Sequence, residues 1–184
     1  NLRGGKSKGV IYKNGFYFFS GRQKLIKLRS QREKYSLLKW GIAYGQAAKL
    51  AKLPFVAAIF VTGSLAMSNC KKSDDIDLMI VTSPHTLWLT RIFVVMLMEI
   101  LGIRRRPEFT LSLSKGRRPQ STSSSNQICL NLWLDTTNLT VPGKNRNLYT
   151  AHEVAQAKAL WDRDDTYHHF LSANSWLNRY LPNI

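Results

Sequence analysis

"FVTGSLAMSNCKKSDDIDLMIVT", residues 60–82, decides the fold. A β-prone apolar run ends in Thr62-Gly63-Ser64. A short polar gap follows, and a second apolar run opens with Asp75 and Asp77 one residue apart. Residues i and i+2 of a strand share a face, so the two carboxylates project together while Ile76, Leu78 and Ile80 point the other way. Carboxylates about 7 Å apart on one strand face repel each other unless a cation lies between them. Mg²⁺ suits such a pair, because it takes one or two carboxylates and keeps positions for water and substrate phosphate. A glycine after a strand lets a phosphate approach the backbone closely, and the Ser64 hydroxyl adds a donor. Lys71 and Lys72 lie in the gap, where they either reach phosphate or stay solvated. Asp74 reads as a loop residue, capping or solvated. It does not start an EF-hand, since the sixth and twelfth loop positions counted from it are Met79 and His85.

Outward from this stretch the pattern alternates between short strands and longer helices. "GVIYKNGFYFFSGR" places β-prone runs at Val10–Tyr12 and Phe16–Phe19 around Asn14-Gly15, a strong hairpin signal. A helix is expected from about Ser30 to Leu53, with Leu37, Trp40, Tyr44, Ala47 and Ala51 as its apolar stripe and Pro54 as its stop. "FVAAIFV" and "DIDLMIV" are two strands. Residues 84–102 form a long helix, expected to be buried and too short and too charged to span a membrane. "EFTLSLS" at 108–114 and "QICLNLWL" at 127–134 are further strands, separated by a Ser/Thr-rich loop. "TAHEVAQAKALW" and "TYHHFLSANSWLNRYL" close the chain as two helices. The order argues for an α/β (α+β) fold, a mixed sheet with packed helices.

Composition narrows the partners. The chain of 184 residues is long enough for one packed core, and its 44% hydrophobic share is that of a folded protein. Its net charge of +16 points to a polyanionic partner, and residues 1–54 carry +12 of it, with Glu33 their only acid. Lys24, Lys27, Arg29 and Arg32, beside Tyr12, Phe16 and Tyr17, are arranged to track a phosphate backbone. Cys70 and Cys129 make neither metal-ligand spacing nor a disulfide framework, so a reducing cytoplasm is the expectation. The chain opens on Asn1 as a fragment or processed chain would, and no secretory signal follows. His152, His168 and His169 read as surface or packing residues. Trp40, Trp133, Trp161 and Trp176 read as mostly core, and "GGKS" at 4–7 lacks the strand a P-loop needs.

"GSLAMSNCKKSDDIDLMIV" resembles the signature of the DNA polymerase β-like nucleotidyltransferase superfamily: a Gly-Ser helix start, then Asp-x-Asp about ten residues on. The resemblance covers roughly residues 54–135. It is greatest to small prokaryotic proteins in which a basic winged-helix-like segment precedes the core and two helices follow it. It implies a basic hairpin segment at 1–29, a nucleotidyltransferase-like core at 30–149 and a helical tail at 150–184. It further implies transfer of a nucleoside monophosphate from a nucleoside triphosphate to a hydroxyl, with pyrophosphate leaving. Asp75 and Asp77 would hold Mg²⁺ or Mn²⁺, and Gly63, Ser64 and Lys72 would bind the triphosphate. The superfamily adds a third carboxylate from a later strand. Here the matching inward position is Asn131, a neutral side chain, and Asp135 at the strand's end is the substitute expected to complete the catalytic set. The alternative function is a non-catalytic nucleic-acid-binding or regulatory module on a degenerate transferase fold. A third reading is the enzyme half of a toxin–antitoxin pair.

Overall fold

The structure, a computed structural model, describes residues 9–103 and 126–183. The expected strand at 108–114, the Arg104–Arg106 cluster and the loop at 115–125 lie outside the described residues. Strands β1 (Val10–Lys13) and β2 (Phe16–Phe19) pair antiparallel as expected. Asn14 and Gly15 turn the hairpin with φ of 52° and 82°, the two left-handed residues of the turn type that matches strand twist.

Helix α1 runs Lys24–Leu50, about 40 Å, starting six residues before the expected position. Its inward stripe is Ser36, Lys39, Ala43, Ala47 and Leu50. Of the expected stripe Ala47 is buried and Trp40 and Ala51 pack against the core, whereas Leu37 and Tyr44 are 75% and 52% exposed. Ala43 and Ala47 let the helix lie close on the sheet, and polar partners for Ser36 and Lys39 make their burial affordable.

Strands β3 (Val56–Val61), β4 (Ile76–Thr82), β5 (Ile128–Asp135) and β6 (Lys158–Asp162) form one mixed sheet in the order β5-β4-β3-β6. β3 is antiparallel to both β4 and β6, and β4 is parallel to β5. All six residues of β3 are buried, as a central strand covered on both faces requires. On one face Ile59, Ile76, Leu78 and Ile80 pack with Ala43, Ala47 and Leu50 of α1 and with Val94 and Met98 of helix α3 (Leu87–Ile100). On the other, Phe60, Met79 and Val81 pack with Ala151 and Val154 of helix α4 (Leu148–Gln156) and Phe170 of helix α5 (Thr166–Ala173). Helix α2 (Gly63–Ala66) is a single turn between β3 and β4. This mixed α/β layering is the fold class expected from the sequence.

Three local expectations are corrected. Residues 158–162, read as the end of a helix, are β6. Ala157 leaves the helical region at ψ 136°, and Lys158 to Asp162 then complete the sheet beside β3. The last segment is likewise broken, with α5 followed by a 3₁₀ turn at Ser175–Arg179. The break is at fully buried Asn174, whose Nδ2 donates to the Leu139 and Phe170 carbonyls and whose Oδ1 accepts from Val141 N and Trp176 Nε1. α3 is not buried all round. Only Thr90, Val94 and Met98 are inside, while Trp88 and Ile100 are 72% and 76% exposed. Among the described residues no helix is long and apolar enough to cross a membrane.

Candidate functional site

Antiparallel pairing of β3 with β4 places the start of α2 beside the start of β4. Thr62 N donates to Asp77 O at 3.0 Å, closing the ladder. The next residue, Gly63, has φ +62°, and a Cβ built there would stand 2.8 Å from Asp77 Oδ2. Only glycine fits, both for backbone and for space. The two halves of the motif, read separately along the chain, therefore touch through Gly63 and Asp77. Asp75 stands immediately before β4 and is half-buried, as is Asp77. Alternation puts both on the face of Met79 and Val81, opposite buried Ile76 and Leu78.

The parallel register of β4 with β5 steps from Leu78↔Leu130 to Met79↔Leu132, so Asn131 is the extra residue of a bulge. The bulge turns its side chain toward the aspartates, and Nδ2 donates to Asp77 Oδ1 at 3.2 Å. The position expected for a third acid is thus beside Asp77, and it holds an amide. Asp135 is not there. It pairs with Thr82, five residues along β4 from Asp77 and about 17 Å away. Its carboxylate accepts from His85 N at 2.6 Å and from Thr137 N and Oγ1 at 2.8 and 2.7 Å. Burial pushes this carboxyl upward, but the Thr137 hydroxyl, the Thr137 and His85 amides and the His85 charge outweigh it, and the net shift is below the ordinary value. Asp135, expected to complete the catalytic set, is thus held by the loop after β4 and stands apart from Asp77.

The gap between α2 and β4 is held by α1, a support that the sequence reading missed. Arg29 Nη1 donates to Met67 O and Ser68 O at 3.3 and 2.9 Å, and Arg32 Nη1 to Asn69 Oδ1 at 3.3 Å. Ser36 Oγ accepts from Cys70 N at 3.0 Å. Lys39, only 2% exposed, donates through Nζ to Lys72 O, Asp74 O and Asn126 Oδ1, tying the approaches to β4 and β5 together. Arg29 and Arg32, expected to face phosphate, are turned inward. Lys72 presents its carbonyl to Lys39 while its side chain is exposed. Asp74 does more than cap. Its Oδ2 accepts from Lys71 N at 2.9 Å and from Ser64 Oγ at 3.3 Å, so it orients the hydroxyl beside Gly63. The i, i+3, i+7 and i+10 spacing of Arg29, Arg32, Ser36 and Lys39 was the available signal, but polar periodicity ordinarily means a solvated face.

On the aspartates' face a cleft of about 460 Å³ continues from Thr62 and Asn131. Met79, Leu132 and Val154 make its walls apolar, and Thr150 and Glu153 supply polar edges. That volume lies within the usual range for small-molecule sites. Among the described residues no group of three or more His, Cys, Asp or Glu side chains gathers to hold a metal. Two carboxylates alone still match a magnesium ion that brings substrate phosphate as its remaining ligands.

No family model matches the chain, and no curated protein does. Among solved structures, a toxin–antitoxin with AMP-PNP is similar over 76% of this chain and 90% of that one, at 14% identity and TM-score 0.40. An MntA–HpeT toxin–antitoxin with two Asp-to-Glu substitutions gives 75%, 88%, 13% and 0.40. A tri-AMPylated Shewanella oneidensis HEPN toxin in complex with MNT antitoxin gives 78%, 90%, 14% and 0.37. Likeness at this level assigns neither a family nor an activity to the chain.

Proposed function

We propose that this protein binds a Mg²⁺–nucleoside triphosphate at Gly63, Ser64, Asp75 and Asp77 and transfers its nucleotidyl group to a hydroxyl acceptor. The observation that carries the reading is the approach of Asp77 to Gly63, too close to admit a Cβ, which sets the start of α2 against the carboxylate pair. In the reaction the acceptor oxygen bonds to the α-phosphorus, the α–β phosphoanhydride bond breaks, pyrophosphate leaves and the hydroxyl proton is lost. A bound Mg²⁺ would neutralise charge on the phosphates and on the attacking and leaving oxygens. The chain's own contributions are holding and positioning. Asp75 and Asp77 supply anionic oxygens, Gly63 makes room for the Asp77 carboxylate at the start of α2, and the Ser64 hydroxyl would turn its proton from Asp74 to a phosphate. The apolar cleft beside Asn131 accommodates the organic part of a substrate.

A second reading, nucleotide binding without transfer, is favoured by one observation. Asn131 occupies the place beside Asp77 and cannot accept the hydroxyl proton as a base, while Asp135 is remote. The test is equilibrium binding of labelled nucleoside triphosphates with and without Mg²⁺, to the wild type and Asp77→Ala, followed by pyrophosphate release with candidate acceptors. Mg²⁺-dependent binding lost in the variant supports the shared binding site, and pyrophosphate release selects transfer. Absence of binding by the wild type to all four common triphosphates refutes both readings.

A further inference from the structure

We infer that the N-terminal hairpin is a stacking platform for single-stranded nucleic acid, distinct from the nucleotide site. The register pairs Val10 with Phe19 and Tyr12 with Tyr17, so strand alternation puts all four side chains on one face. That face is open, with exposures of 47% for Val10, 62% for Tyr12, 72% for Tyr17 and 70% for Phe19. The other face carries Phe18, 9% exposed, which anchors the ribbon. Tyr12 and Tyr17 lie with ring centroids 4.8 Å apart and planes inclined by 41°, a joined aromatic surface whose outer sides face solvent. Cross-strand packing explains the contact between these rings but not the exposure of three aromatic side chains together.

Beside the platform is a recess of about 350 Å³ between Tyr17, Phe19, Leu25 and Arg22, with the arginine as its cationic member. Lys24 and Lys27, on the same helix turn as Leu25 and the next, are exposed. Arg29 and Arg32, farther along α1, are by contrast engaged by the 67–69 loop. An unpaired strand offers π-faces for the rings and phosphates for the cations. A duplex keeps its base faces stacked within itself, and an acidic peptide matches only the charge.

The test is fluorescence anisotropy with labelled oligothymidylate and oligouridylate of about 12 nucleotides, within the range one small module covers, and with a duplex of equal length. The expected result is preferential binding of the single strands that weakens steeply between about 50 and 200 mM salt. Tyr12→Ala/Tyr17→Ala is expected to weaken it by at least about 25-fold, since each lost stacking ring is worth about five- to 150-fold. Tyr12→Phe/Tyr17→Phe keeps the rings and is expected to retain binding, which separates stacking from loss of the fold. Asp77→Ala is expected to leave oligonucleotide binding unchanged, so this inference can fail or stand independently of the nucleotidyl-transfer reading. Equal or tighter duplex binding, no effect of the alanine pair, or loss of oligonucleotide binding in Asp77→Ala would overturn it. So would binding to vesicles of phosphatidylserine and phosphatidylcholine with none to oligonucleotide.

Discussion

Replacing Asn131 by aspartate tests the geometry of the site most directly. In the wild type the Asn131 amide donates to Asp77 Oδ1 at 3.2 Å. In Asn131→Asp a carboxylate oxygen takes the place of that donor, so an attraction becomes a repulsion. Two unit charges about 4 Å apart repel by about 1 kcal/mol in water and by about 4 kcal/mol at the effective dielectric of a protein surface. Asp77 is half-buried and Asn131 exposed, which places the cost between those limits. Adding the lost charge-assisted hydrogen bond, itself weakened by exposure, the metal-free variant is expected to lose about 2–4 kcal/mol at neutral pH. For a domain of this length that lowers Tm by about 5–15 °C. The sign with pH follows from the like charges. They raise the proton affinity of the pair in the folded state, so the destabilisation is full above the raised pKa and is relieved as the solution is acidified through it. Magnesium reverses the effect, because three anionic ligands bind a divalent ion more tightly than two, and binding to the folded state alone stabilises it. Thermal unfolding of wild type and variant, with and without millimolar Mg²⁺ and from pH 4 to 8, reads all three effects. A variant as stable as the wild type without metal, with no larger response to Mg²⁺, would refute the reasoning. If the neutral amide is what limits transfer, pyrophosphate release rises in the same variant.

Lys39→Met deprives two carbonyls and the Asn126 amide oxygen of their donor and is expected to cost about 2–4 kcal/mol in urea unfolding, with weakened Mg²⁺–triphosphate binding because the approaches to β4 and β5 are released. Gly63→Ala meets both the left-handed φ and the Asp77 carboxylate. It should cost at least about 1–2 kcal/mol from the backbone alone and lower triphosphate affinity in titration calorimetry. Asp135→Asn should leave triphosphate binding unchanged while altering acid stability. The folded-state pKa of Asp135 is depressed, so its stabilisation is present above the ordinary value of 3.8 and is lost as pH falls through the folded value. The difference between wild-type and variant Tm should therefore be largest near neutrality and shrink below about pH 4.

The expected residues of the site divide according to how far their signals reach. The placement of Asp75, Asp77, Gly63 and Ser64 was legible because each depends on a short-range rule, the two-residue period of a strand or the turn after one. The position of Asn131 was legible as an inward residue of a later strand. The bulge that aims it, and the register that carries Asp135 to the far end of β4, depend on pairing between segments some 50 residues apart. The Lys39 contacts were invisible because a lysine in a helix ordinarily signals solvent, and only the loops folded against α1 reverse that meaning.

By itself the amino-acid sequence determined the hairpin at Asn14-Gly15, the two central apolar strands, the mixed fold class and the placing of two aspartates on one strand face. Turn conformation and side-chain alternation act over a few residues, and those residues carry the whole instruction. Tertiary structure decided which side of α1 turns inward, that residues 158–162 complete a sheet rather than a helix, and which polar side chain stands beside Asp77. Each of these is a choice among locally similar alternatives. It is settled by the burial of Ala43 and Ala47 on the sheet, by the unpaired edge that β3 offers to β6, and by the one-residue slip between β4 and β5.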